Sequence, residues 1–348
     1  VVITRIGGEG FDLPRYQGDS EGAVSVDSHY LELDQNEIDL LTAVTDGTFK
    51  RVVVVFNTPS SFEATFLKDS AYAAFADKID AAVWIGFTGS NGITALGEIL
   101  NGDVNPSGRL VDTYVHDNLS SAAMQNFGDY RYVNEDGSLS GYSYVNYAEG
   151  IYVGYKYYET RYEDAVMKQG NASGNAGIFA SKGDSWVYGE EVAYPFGYGM
   201  SYTTFEQALE NVTYDAATDS FTVLVKVTNT GNVAGKEVVQ VYGQQPYTEF
   251  DRANAIEKAS VQLVGFGKTN VLQPGESETV SVTVDRKELT VYDEHVNKTY
   301  ILEAGDYYLS VGLDAHDAVN NILAAKGYAP IAQETPAAEG AEEAETAT

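Results

Sequence analysis

The run RVVVVFN, Arg51–Asn57, sets four valines and a phenylalanine in unbroken succession. With no polar residue between Arg51 and Asn57, neither face suits water, and the β-branched side chains favour a pleated backbone. A strand covered on both faces belongs to a parallel sheet whose crossovers are helices. The flanking sequence agrees. Val1–Arg5 reads as a strand, and Asp34–Val44 places Ile38, Leu41 and Val44 at helical spacing, with Asp34 as N-cap and Glu37 three residues on. Downstream, Phe66–Phe75 reads as a second helix, AAVWIGF (Ala81–Phe87) as a third strand and Ile93–Leu100 as a third helix. Asn101-Gly102 closes that helix, and NPSGRL (Asn105–Leu110) supplies turn residues. The order βαβαβα predicts a parallel sheet with helices on its faces. Sheets commonly hold about five or six strands, so the remaining half of this one is expected to lie outside the chain.

The first strand runs into ITRIGGEGFD, Ile3–Asp12. Gly7, Gly8 and Gly10 free the backbone for positive φ and for close approach of a ligand. Glu9 stands between two of them, just past the carboxyl end of a buried parallel strand, where open α/β sheets bind their ligands. A carboxyl so placed can act as a general acid or base; a solvated loop glutamate is the competing reading. A phosphate-binding turn fits poorly, because Glu9 puts an anion where a phosphate oxygen would sit and no helix follows promptly. Glu9 and Asp12 are a possible carboxylate pair, though their spacing on an irregular loop fixes no distance.

From Ser120 to Phe205 the chain is aromatic and glycine-rich, densest at YAEGIYVGYKYYETRYED (Tyr147–Asp164) and YPFGYGMSYTTF (Tyr194–Phe205). It reads as an irregular connection with no clear helix. Beyond Glu206 the period changes to two, with strands in SFTVLVKVTNTG (220–231), EVVQVYG (237–243), SVQLVGFGK (260–268), ETVSVTVD (278–285) and GDYYLSVGL (305–313). Turn signals at Asn229-Thr-Gly231 and Pro274-Gly275 separate them, as in an antiparallel sandwich of about 100 residues. The last stretch, 329–348, has five Glu and no Lys or Arg and reads as a disordered tail or linker. The expected organisation is 1–119 α/β, 120–205 connecting segment, 206–328 β-sandwich and 329–348 tail.

The 348 residues carry a net charge of -30, which disfavours nucleic acid and anionic membranes as partners. There is no cysteine, so disulfides and thiolate metal sites are excluded. No stretch approaches the roughly 18 apolar residues of a membrane span. Four sequons, at Asn118, Asn171, Asn211 and Asn297, matter only in a secretory pathway. The compartment stays open, a secreted or cell-associated setting standing ahead of a strictly cytoplasmic one. The 26 tyrosines suit packing between domains as well as contact with sugars. His29, His116, His295 and His316 lack metal-ligand spacing and read as surface or core residues. No serine is framed as G-x-S-x-G, so a serine-hydrolase triad has no support.

Taken in order, RIGGEGFD, VVVVFNTPSS, DVNPSGRLVDTY, EGIYVGYKYYET, YPFGYGMSYTTF, VKVTNTGNVAGKEVVQVY, GFGKTNVLQPGES and EAGDYYLSVG resemble the C-terminal portions of glycoside hydrolase family 3, the β-glucosidase type. The resemblance runs from Val1 to about Gly312. It implies a partial parallel α/β sandwich followed by a fibronectin type III-like antiparallel β-sandwich. It further implies a (β/α)8-type barrel, with the nucleophilic aspartate, that is not in this chain. By the same resemblance Glu9 is the catalytic acid/base, with Gly8, Gly10 and Phe11 as substrate-contacting neighbours. The implied reaction is retaining hydrolysis of β-glucosides or short gluco-oligosaccharides, with no metal or organic cofactor. This chain alone is expected to be inactive.

The sequence departs from the family at Asp12-Leu13, where relatives carry Asp-Arg. Arg15 or Arg5 is a possible substitute for that cation. TGSNGI (Thr88–Ile93) stands where GQEGG is usual. Pro106, Gly108 and Arg109 match the family and read as structural, from their turn chemistry. A β-xylosidase-type specificity is the alternative within the enzyme class. Outside it stands a non-catalytic carbohydrate-binding or scaffolding fragment, a reading that glucose binding by this chain alone would favour.

Overall fold

The computed structural model describes residues 1–4, 31–68, 70–120, 123, 130–144, 147, 149–170 and 186–330. β1 (Val2–Thr4) pairs in parallel with β2 (Val53–Asn57), which pairs in parallel with β3 (Ala81–Trp84), in the order β1-β2-β3. Val54, Val55 and Phe56 are buried, as the unbroken apolar run of β2 requires. Before β2 comes α1 (Gln35–Val44), opened by a full capping box between Asp34 and Glu37, with Leu41 buried in the core beside Ile3 and Val54. After β3 comes α2 (Ile93–Asn101), closed by Gly102 at φ 84°, a left-handed position that suits glycine. None of the residues of α2 is buried, and Ile93 and Leu100 stand half exposed.

Two segments correct the sequence reading. Phe66–Phe75 is no α-helix but part of a series of short 3₁₀ turns at Ala64–Leu67, Ser70–Tyr72 and Ala76–Lys78. Their purpose is aromatic packing: Phe66, Tyr72 and Phe75 meet ring to ring at 5.6–6.4 Å beside Phe56. Tyr72 closes one turn and Phe75 precedes the next, and their rings meet at 5.6 Å across the break between them.

The connecting segment also contains regular structure. β4 (Tyr114–Val115) leads to a hairpin of β5 (Tyr130–Val133) and β6 (Leu139–Tyr144). Then come α3 (Tyr155–Met167) and α4 (Tyr188–Glu191), followed by β7 (Val192–Tyr194), which pairs antiparallel with β4. α3 was hidden because it has no apolar stripe. Tyr157, Tyr158 and Tyr162 are buried together with Glu159, Arg161, Glu163 and Asp164, so the helix is enclosed nearly all round. Its charged side chains are buried in pairs, a condition that hydrophobic periodicity does not reveal.

The remainder is a two-sheet sandwich. β8 (Phe205–Asp215), β9 (Ser220–Asn229) and, later in the chain, Ser277–Asp285 form one sheet. β10 (Val238–Gln244) is the centre of the other, and it is followed by α5 (Glu249–Asn254) and β11 (Gln262–Lys268). Ser277–Asp285 is β12; β13 (Val291–Asp293) and β14 (Thr299–Ile301) form a hairpin, and β15 (Tyr308–Gly312) completes the β10 sheet. The alternate valines Val223, Val225 and Val227 meet Val239, Val241, Val280, Val282 and Val284 between the sheets. A Cβ on Gly267 of β11 would lie 2.6 Å from Val280 Cγ1, so the glycine permits close packing there. The last helix among the described residues, α6 (Ala315–Ala325), follows β15 and packs Ala315, Ala318, Val319, Ile322 and Leu323 among the tyrosines of α3. No helix among the described residues is long and apolar enough to cross a membrane.

Candidate functional site

Glu9, Gly8, Gly10 and Phe11 lie outside the described residues, as do Arg5, Asp12, Arg15 and His29. What is described is the sheet edge from which they depart. Thr4 ends β1 directly opposite Asn57 at the end of β2. One strand further, Phe56 is opposite Trp84, whose indole nitrogen donates to the Thr58 carbonyl at 2.8 Å. The carboxyl ends of three parallel strands therefore meet along one line, the edge at which α/β sheets receive ligands.

The loop after β2 is held from below. Glu63 is buried, and its Oε1 accepts the Asn118 backbone N–H at 2.6 Å while the Asn118 amide donates to the Ser61 carbonyl at 2.9 Å. Asp112 adds a carboxyl beside Ser61 and Thr113; burial pushes its pKa up, with the hydrogen bonds from Thr113 and Ser61 opposing. Lys68 donates to the Ala193 carbonyl at 3.1 Å and lies over the Tyr194 ring at 3.9 Å. Desolvation lowers its pKa to about 8. These side chains tie the loop and the first 3₁₀ turn to Asn118 and to β7.

Within the turn of Pro106, Gly108 and Arg109, the arginine makes a structural contact. Arg109 Nη2 lies 2.7 Å from the Glu237 carboxylate, and both side chains are largely buried. The Asn105 amide donates to Ala234 O at 3.1 Å, and its Oδ1 accepts from Ser201 Oγ at 2.9 Å and Tyr202 N at 2.8 Å. The turn thus ties the parallel sheet to the sandwich. Among the described residues, no group of three or more His, Asp or Glu side chains is arranged to hold a metal ion.

The buried residues of α3 were passed over in the sequence. Glu159 accepts from Tyr188 OH at 2.5 Å and meets His316 Nδ1 at 2.9 Å, and His316 stacks on Tyr188 at 3.9 Å and contacts Tyr162 at 4.4 Å. Arg161 pairs with Glu191 at 3.2 Å, and the Trp186 indole donates to the same carboxylate at 2.7 Å. Burial pulls the His316 pKa down, but Glu159, Asp314 and Asp317 outweigh it and raise it. Burial also raises the Asp314 pKa, to about 6. Both groups therefore hold protons more tightly folded than unfolded, so each contributes its full stability only below its unfolded value, 3.8 for Asp314 and 6.5 for His316, and loses it as pH rises through the folded value. Thermal midpoints are expected to fall as pH is raised from about 5 to 8, and His316→Gln is expected to flatten that decline. An unchanged slope in the variant would assign the pH dependence elsewhere.

Residues 1–155 match the description "Glycosyl hydrolase family 3 C-terminal domain", and residues 237–315 match "Fibronectin type III-like domain". Beta-glucosidase A of Butyrivibrio fibrisolvens is 30% identical over 344 residues, covering 91% of this chain and 36% of that protein. Among solved structures, a beta-glucosidase from Paenibacillus barengoltzii superposes with a TM-score of 0.66 at 31% identity, covering 91% of this chain and 28% of that one. Beta-glucosidase 3B from Thermotoga neapolitana, solved in complex with glucose, gives 0.63 at 30% identity, with 91% and 36% covered. The chain thus spans about a third or less of the length of these proteins.

Proposed function

We propose, for a chain that belongs to glycoside hydrolase family 3 and corresponds to the C-terminal part of its members, that it supplies the acid/base half of a retaining β-glucosidase site. Glu9 is the acid/base in this reading. It protonates the glycosidic oxygen as the aglycone leaves, then takes a proton from the water that releases the sugar. The nucleophilic aspartate comes from a (β/α)8-type barrel, and the two carboxyl groups sit about 5–5.5 Å apart in a retaining enzyme. Gly8 and Gly10 let the turn reach the sugar, and Phe11 borders it. The substrate is a β-linked glucoside or short gluco-oligosaccharide.

The observation that supports this is the register of β1: Thr4, five positions before Glu9 in the sequence, stands opposite Asn57 at the carboxyl edge of the sheet, the edge where ligands gather. The barrel needs a surface to dock on, and α2 offers one, since it is an apolar helix none of whose residues is buried among the described residues.

The test is to characterise the native preparation that hydrolyses an aryl β-glucoside, by intact mass and denaturing gel. A barrel-sized segment, covalent or co-purifying, is expected with the activity. The double variant Ile93→Glu, Leu100→Glu is expected to weaken its association at least about tenfold, since each change removes a buried apolar contact. Full activity from the 37.7 kDa chain alone would overturn the proposal.

A further inference from the structure

A cleft of about 440 Å³ opens between the start of α3, the segment leading into β11 and the β13–β14 hairpin. Its volume falls in the roughly 300–1,000 Å³ range of small-ligand sites. Tyr292 and Tyr300, directly opposite each other on the hairpin, stand at it with rings 5.3 Å apart and 50% and 69% exposed. Lys156, Gln245, Gln262 and Glu257 line it as well. Gln245 spends a donor on the Thr290 carbonyl at 3.2 Å. Among the described residues, the half-buried Lys156 ammonium and Gln262 amide have no hydrogen-bond partner.

We infer that this cleft binds a neutral oligosaccharide, with a pyranose ring packed on the Tyr292–Tyr300 pair and its hydroxyls bonded by Gln262, Gln245 and Lys156. Tyrosine offers an apolar face with a polar rim, which matches the amphipathic face of a sugar ring and explains how two such rings remain in water. Amides both donate and accept, as sugar hydroxyls do. An apolar ligand would leave these groups unpaired at a cost. An anionic ligand fits less well. Lys258, at the base of the cleft, is neutralised by Asp251 and Glu303, Lys287 by Asp285, and Glu257 adds negative charge. The chain as a whole carries -30 and repels polyanions at long range.

The choice of a β-1,4-linked glucan fragment as probe rests on the proposed β-glucosidase reading; the cleft itself does not. Cellotetraose is titrated into the 348-residue chain by calorimetry and by chemical-shift mapping. Saturable binding with a Kd of about 0.1–1 mM is expected. The double variant Tyr292→Ala, Tyr300→Ala is expected to bind at least about tenfold more weakly, and Gln262→Ala about fivefold more weakly. Glu9→Gln is expected to bind as the parent chain does. Three results would overturn the assignment: no saturation up to about 10 mM, binding untouched by the tyrosine and glutamine changes, or binding lost on Glu9→Gln. Selective uptake of glucuronate through Lys156 would replace the neutral ligand with an acidic one. Hydrolysis of an aryl β-glucoside by the assembled enzyme is read separately, so a failed cleft leaves the catalytic proposal standing and the converse also holds.

Discussion

Replacing Glu9 by glutamine in the assembled enzyme is expected to slow hydrolysis of glucosides with poor leaving groups by about 10²–10⁴-fold, the span of general acid–base catalysis. The size of the loss depends on the leaving group. An alkoxide must be protonated as it departs, so alkyl glucosides and cellobiose lose the full factor. An activated aryl oxide departs without help, and for such substrates the slow step becomes attack of water on the glycosyl-enzyme, where Glu9 is needed as base. Azide requires no deprotonation and should restore turnover of the aryl substrate, giving a glycosyl azide of retained configuration. The limb of the pH–rate profile set by the acid should vanish. Rates equal to the parent's with a poor leaving group would remove Glu9 from the chemistry.

Lys258→Met is expected to destabilise the sandwich by about 3–5 kcal/mol, the cost of stripping one partner from a buried ion cluster. Lys258 is almost fully enclosed. It donates to Asp251 Oδ2 at 2.8 Å, to the Pro246 carbonyl at 2.8 Å and to Glu303. Asp251 is itself inaccessible and closes the capping box of α5 with Thr248. Methionine fills the volume of the lysine stem but leaves two carboxylates facing each other without a cation. At a urea slope of about 2 kcal/mol/M the unfolding midpoint should drop by about 1.5–2.5 M with the slope unchanged. Adding Asp251→Asn should return part of the loss, because the remaining carboxylate then faces no like charge. A midpoint within about 0.3 M of the parent's would mean that water reaches the cluster and screens it.

The sequence declared most openly what depends on a local pattern. Val52–Val55 could be covered on both faces only in a parallel sheet, and Asp34 with Glu37 marks the start of α1 by short-range hydrogen bonding alone. The alternate valines of β9 and β12 mark one buried face each. α3 has no such pattern, because Glu159, Arg161 and Glu163 are buried by virtue of partners near residues 188–191, 244, 316 and 326. Those distances along the chain lie outside any local window. The segment Phe66–Phe75 is similar: Phe66 packs on both Phe56 and Phe75, and its contact with Phe56 in β2 is not visible to local spacing. α6 was different. Ala315, Ala318, Val319, Ile322 and Leu323 follow the helical repeat behind an Asp314 cap, a signal local enough to be legible in the sequence. For the candidate site, the glycine turn and Glu9 came from motif and topology, whereas the cleft beside Tyr292 and Tyr300 joins four separate stretches that only the fold brings together.

The clasp between α3 and α6 bears on how the polypeptide matures. Glu159 and His316 are separated by 157 positions, and the hydrophobic cluster around α3 draws on both helices. At a synthesis rate of about 5–20 residues per second, the tyrosines of α3 leave the ribosome about 8–30 s before the α6 residues that complete their cover. During that interval α3 is covered only in part, by Trp186, Tyr188, Tyr242 and Val261, and the side that α6 will close stays open. The last helix is therefore a finishing piece. Its arrival converts a nascent chain with an open tyrosine face into one whose middle is sealed from both ends, and a ribosome that stalls before Leu323 leaves that face to chaperones.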